Sequence, residues 1–204
     1  MRLRVLVAIF TLSTAKAVLI DRIAVVVGRA PILDSDIVRD IRVTAFLNHQ
    51  RPDFALTSRK QAASRLIDQE LIRQQIRFGG FPVASQQETT QLLKQIEQDR
   101  GARFSAVLEQ DGISKAELRD RLSWQLTVLR FIDAMFRPQV IVSDADVEKY
   151  YQSHRDQFDS KSLSAARPAI ETIISGEKLN ALFESWLDQT RKSTRIIYLE
   201  KSLA

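Results

Sequence analysis

Few residues in this sequence have the types and spacing for acid–base or metal chemistry. Two carboxylate pairs stand out, Asp34 with Asp36 and Asp144 with Asp146. An acid–base pair needs environments that drive two pKa values apart. These pairs lie at the starts of helical stretches, where aspartate caps backbone N–H groups and complements the helix dipole. They are assigned as caps. His49 sits beside Gln50 and Arg51 in a loop, and His154 lies among Ser153, Arg155 and Asp156 at a polar helix end; both are solvated positions. With two histidines and no cysteine, disulfides, thiolate catalysis, zinc fingers and iron–sulfur clusters are excluded. Gly79-Gly80 is the only pair of adjacent glycines, and no phosphate-cradling loop is present. No catalytic residue, cofactor or metal ligand is therefore assigned, and the chain is expected not to be an enzyme.

Binding is better represented. From Ser114 to Phe136 the spacing predicts a helix with two apolar stripes. Leu118, Leu122, Leu126, Leu129, Ile132 and Phe136 form one. Trp124, Val128, Phe131 and Met135 form the other, about 120–130° away. Arg119, Asp120, Thr127 and Arg130 take the remaining arc. A surface helix needs one apolar face a little over ~100° wide, and this one has nearly twice that. It is either a central helix covered on two sides, or a helix with part of its apolar surface in a groove. In the second case Trp124, Val128, Phe131 and Met135 are the candidate peptide-binding residues, since methionine and aromatic surfaces repack around varied sequences. Phe54, Phe81, Phe104, Tyr150, Tyr151 and Phe158 lie at loops or helix ends, where they would rim such a surface or simply pack.

The elements around that helix follow from local signals. Apolar residues are 45% and charged residues 27% of the 204, the balance of a globular protein with one domain as the default. Ile20–Val27 is rich in β-branched residues and predicts a strand, with Ile32 and Leu33 returning as a short second one after Gly28-Arg29-Ala30-Pro31. Asp34-Ser35-Asp36 opens a helix to about Leu47. A helix from Ser58 to Phe78 stops at Gly79-Gly80. Ser85 with Glu88 and Ser114 with Glu117 are capping boxes for the next long helices, with a short helix from Ser105 to Gln110 between them. Pro138 stops the second, and Ser143 caps a helix through Tyr151. Asp159–Ala166 reads as a linker. Pro168 is placed in the first turn of a final helix to Lys192, with Gly176 as a kink. Ile196–Leu199 is the closing strand. Two lone strands at opposite ends need a partner surface, so the last is expected to pair with the first.

Residues 1–17 read as a secretory signal peptide. Arg2 and Arg4 precede an apolar run from Val5 to Leu12, and Ala15-Lys16-Ala17 supplies small residues for cleavage. A buried N-terminal strand or a short anchor is the alternative. The run falls well short of the ~20 residues of a spanning helix, so no stable membrane insertion is expected. Cleavage after Ala17 removes three cations and no acid, lowering the net charge from +5 to +2. A nearly neutral chain has no field with which to gather phosphates, so nucleic acid is not expected as a partner.

In this order the segments resemble the SurA-type periplasmic chaperones, in the part called the SurA N-terminal domain. Ile20–Val27 is similar to that family's opening strand and Ile32–Ile37 to the lead into its first helix. Arg65–Ile72 resembles the core of its second helix, and Leu182–Leu187 with the closing strand resembles its returning tail. Gly28-Arg29-Ala30-Pro31 departs from the Asn-rich turn common there. The resemblance implies a mainly α, multi-helix domain, with a small β-sheet joining the N-terminal strand or hairpin to the C-terminal strand. It also implies parvulin prolyl isomerase domains inserted before the returning helix. Here that slot holds only residues 159–166, far below the ~50 residues of an independent domain. The expected layout is a signal peptide at 1–17 and one chaperone domain at 18–204. That domain divides into a helical part to 158, the linker, and the returning helix and strand from 167.

The function expected is ATP-independent, periplasmic binding of unfolded or outer-membrane-bound polypeptides without isomerase activity. An envelope adaptor docking one fixed partner and an isomerase-related enzyme are the alternatives. A homodimer formed by swapping the C-terminal helix is open to a chain with so short a linker.

Overall fold

The computed structural model describes residues 21–158 and 162–204. The proposed signal peptide and Asp159–Lys161 of the expected linker lie outside them. The chain is mainly α, with a small antiparallel sheet.

Strand β1 (Ile23–Val27) turns through Gly28-Arg29 into β2 (Ala30–Leu33). Gly28 has φ +62°, open to glycine without strain and suited to the first position of a two-residue hairpin loop. The closing strand β3 (Ile196–Tyr198) pairs antiparallel with β1, giving the order β2-β1-β3. The opening and closing strands therefore pair as the strand argument required.

Helix α1 (Asp34–Leu47) follows β2 directly, and α2 (Leu56–Gly79) packs on α1 and the sheet. Ala24, Val25, Val27, Ile32, Ile37, Ile67 and Leu71 form the core between them, joined by Leu203 from the C-terminal turn. Helices α3 (Gln86–Arg100), α4 (Phe104–Gln110) and α5 (Lys115–Phe136) come next. The Ser85 and Ser114 capping boxes form as expected, each serine Oγ accepting from the glutamate N–H three residues on. The first half of α5 buries Leu118 and Leu122 against Val43, Phe46, Leu93 and Phe104.

Helix α6 (Asp144–Ser153) is capped by Ser143, and α7 (Leu163–Ser193) returns along α6 and then along α2 and α5. Here the sequence-based boundaries need correction. Leu163–Ala166 is helix rather than linker, and Pro168 lies inside α7 instead of in its first turn. Ser162 caps the earlier start, and burial of Ala166 against α6 draws the helix upstream past the proline. Gly176 lies within α7 without ending it.

Candidate functional site

The carboxylates flagged by spacing serve local structure. Asp36 accepts from the Leu33 N–H at 2.9 Å, and Asp34 holds Arg59 at 2.6 Å. Asp146 accepts from the Ser143 N–H and from Lys178 of α7, which hold its carboxyl well below the usual range, Lys178 foremost. Asp144, at the start of α6, pairs with Arg167, also of α7. His154 closes α6, its ring stacked on Tyr150 with centroids 4.1 Å apart. His49 adopts φ +56° in the loop after α1. Among the described residues no group of three or more His, Cys, Asp or Glu could hold a metal.

The stripe of Trp124, Val128, Phe131 and Met135 faces inward. Phe131 is fully buried, its ring meeting Phe81, Phe136 and Trp186 at 5.1, 6.0 and 5.3 Å. It cannot present surface to a peptide, because Phe183 and Trp186 of α7 close over this side of α5. Val128 and Met135 are half-buried against the same cluster. Trp124 is half-buried too, with the Arg73 guanidinium 4.8 Å over its ring. Thr127, assigned to the polar arc, is buried as well. Its hydroxyl accepts from the Ala84 N–H at 3.0 Å and so pins the lead into α3. Of the residues proposed as a rim, Phe104 and Phe158 are buried and Phe81 packs on Phe131, while Tyr150 and Tyr151 pack within the α6–α7 pair. Phe54 remains exposed.

The open apolar surface lies on the other stripe. Leu129 is 63% exposed, on the outward face of α5 with the exposed Gln125 and Asp133 one turn to either side. With Ile132, Ala134, Pro82 and Leu179 it lines a hollow of about 620 Å³ between α5 and α7. A second hollow of about 400 Å³ continues along α7, formed by Val140, Ile141, Ala181 and Leu182, with Ile141 76% exposed. The two meet at residues 178–182 of α7. Their cations are tied down: Arg137 to Asp133, Arg130 to Glu88, and Lys178 to Asp146 and the Ile141 carbonyl. What faces outward is a groove of aliphatic side chains with a neutralised rim. Isoleucine and leucine of the first stripe, not the aromatic second one, carry it. The sequence signal was the excess width of the apolar arc.

A third cleft, about 500 Å³, opens between β2, α1, α2 and α5, with Trp124 at one end. Its wall holds the buried Asp40, whose side chain is 1% exposed and accepts from Arg65 at 2.6 and 3.0 Å and from Arg121 at 2.6 Å. This carboxylate ties three helices together. Glu70, also buried, gathers Arg73, Gln74 and Arg77. Leaving either acid without its guanidinium partners would strand a buried charge. The Asp40 network positions three helices and left no sign in the sequence patterning, because it joins residues far apart in the chain, whereas the Glu70 cluster lies within one stretch of α2.

Helices packed on a three-stranded sheet that joins β1 to the closing strand β3, with an aliphatic groove beside α5, define the class as a mainly α fold with a small antiparallel sheet. A similar fold occurs in a solved chain from Campylobacter jejuni, described among two structurally related SurA-like chaperones, the virulence factor PEB4 and the periplasmic protein Cj1289. The TM-score is 0.56 at 14% sequence identity, over 87% of this chain and 99% of that one. At that identity the likeness is one of fold. No family model matches the sequence, and a search of curated proteins returns no match.

Proposed function

We propose that this protein is a periplasmic, ATP-independent chaperone that holds unfolded or outer-membrane-bound polypeptides in the α5–α7 groove, without isomerase activity. The observation that carries this is Leu129, exposed at the middle of the central helix and continuous with Ile132, Leu179 and Ile141. Exposed aliphatic surface of this kind has an energetic use only if something covers it part of the time. A shallow groove with paired charges holds apolar segments weakly and without regard to sequence, as release without nucleotide requires. The fold shared with SurA-like chaperones supports the same function, and the export signal proposed at residues 1–17 supports the compartment. Residues 159–166, with helix beginning at Leu163, leave no length for an isomerase domain at the place where the family carries one.

The test is aggregation of an unfolded β-barrel protein on dilution from denaturant, followed by light scattering without nucleotide. Suppression at near-equal molar ratio is expected; no suppression at several-fold excess overturns the proposal. A protease-coupled proline-peptide assay is expected to stay at the uncatalysed rate.

A further inference from the structure

From the last turn of α2 into the connection to α3 the chain runs Phe78-Gly79-Gly80-Phe81-Pro82-Val83-Ala84, seven residues without a polar side chain. Apolar connections are ordinarily buried, yet Phe78 is 90% exposed and Val83 61%. The loop is also fixed in shape. Phe81 turns inward to meet the Phe131 ring edge-on at 5.1 Å. A Cβ at Gly79 would lie 2.4 Å from the Phe81 ring, and Gly80 has φ +63°, so both glycines are required for this anchoring. Phe78 and Val83 flank the anchor and stand out on either side of it.

Part of the loop's polar backbone is engaged within the fold. The Gly80 and Phe81 N–H groups both donate to the Ile76 carbonyl, and Pro82 has none to give. The Ala84 N–H donates to Thr127, and the Val83 carbonyl accepts from Arg130 at 2.6 Å. A contact in the headgroup layer stays within reach of water, which serves the loop's remaining backbone groups.

Of the cations beside it, Arg77, which precedes Phe78, is paired with Glu70, and Arg130, which holds the Val83 carbonyl, with Glu88. Gln74, one turn before Phe78 on the same face of α2, donates to the carbonyl of Val27 at 3.4 Å, which brings the hairpin turn with its exposed Arg29 to this end. The Gly28 N–H donates in turn to the Arg195 carbonyl, adding a second exposed guanidinium. Among the described residues neither Arg29 nor Arg195 has an acidic partner within ion-pair distance. An exposed aromatic and an aliphatic side chain on a loop of fixed shape, with free guanidinium groups nearby, together match the headgroup layer of an anionic bilayer.

We propose that the Phe78–Ala84 loop is a peripheral membrane contact, seating Phe78 and Val83 in the interface of a bilayer with anionic lipid. The proposal is independent of the chaperone function. No helix of the described residues is long and apolar enough to cross a membrane, so the contact is superficial and reversible.

The absence of cysteine allows one reporter to be placed at will. Phe78→Cys, carrying an environment-sensitive fluorophore, is mixed with vesicles of phosphatidylglycerol and phosphatidylcholine. The expected result is a several-fold rise in emission that shrinks in high salt and is absent with phosphatidylcholine alone. The same label at Ser105→Cys, on α4, stays unchanged. The doubly substituted Phe78→Ser, Val83→Ser protein, whose changes are at the surface, should cosediment with the anionic vesicles about tenfold more weakly. No response at position 78, an equal response at 105, or unchanged cosedimentation overturns the proposal. A response at 78 to unfolded polypeptide and none to vesicles also overturns it, and makes the loop a polypeptide contact.

Discussion

The two halves of α7 are held in different ways. The C-terminal half lies on α2 and α5, where Phe183 and Trp186 interlock with Phe131 and Phe136, and Arg191 clamps Asp68 and Ser64. It then hands the chain to β3 and the sheet. The N-terminal half lies on α6 over a smaller cluster of Val147, Phe158, Ala166, Ile170 and Ile174. There the added ties are exposed ion pairs, Asp144–Arg167 and Asp146–Lys178. Exposed pairs stabilise by only about 0–1 kcal/mol each. The molecule is thus a well-buried body with a lighter two-helix lobe, joined by one continuous helix. Regions with fewer buried contacts open first, and the groove lies where the two regimes meet.

The largest effect is expected from the body. Phe131→Ala should lower the unfolding free energy by about 4 kcal/mol, read by urea denaturation, since it removes a buried ring that touches three others. A loss below about 1 kcal/mol would mean that α7 does not close over α5. Ile170→Ala should cost about 3 kcal/mol, but inside the lobe. Hydrogen exchange at α6 amides should then accelerate, while exchange in β1 stays as it was. Equal acceleration in both would show one cooperative unit.

Acid should separate the regions less strongly. Asp146 is held below the ordinary aspartate value of 3.8, so its stabilising contribution is complete above that value and is lost as pH falls beneath it. Burial drives Asp68 the other way, against the pull of Arg191 and with added repulsion from Asp188. A raised carboxyl stabilises most below 3.8 and loses that contribution as pH rises through its folded value. Acidification from neutral pH should therefore loosen α6 before the α2–α7 contact, as measured by pH-dependent exchange. Asp146→Asn should remove the difference. The smallest change in stability, within about 0.5 kcal/mol, is expected for Leu129→Ser, because the side chain is already mostly in water. Its effect should fall on aggregation suppression instead.

Much of the fold was legible because its signals are local. Ser85 with Glu88 and Ser114 with Glu117 declare helix starts within four residues, and the lone strand at each end could be satisfied only by pairing the ends. The groove was half legible. The doubled apolar arc announced surplus surface, but which stripe is covered depends on where α7 lands, some fifty residues later in the chain. Trp124, Phe131 and Met135 looked like a binding stripe because aromatic and methionine side chains suit either purpose. The same long-range placement hid Pro168, whose position within α7 follows from the burial of Ala166. Thr127 was misplaced because a polar residue sits comfortably inside when a backbone N–H such as that of Ala84 needs an acceptor.

The most direct test of the central claim is site-specific photo-crosslinking to an unfolded β-barrel polypeptide. A crosslinking residue is placed at Leu129, at Ile141 and, on α4, at the exposed Ser105. Strong capture at 129 and 141 with little at 105 is the predicted result. Equal capture at all three, or capture at 105 alone, would contradict a chaperone that works through the α5–α7 groove.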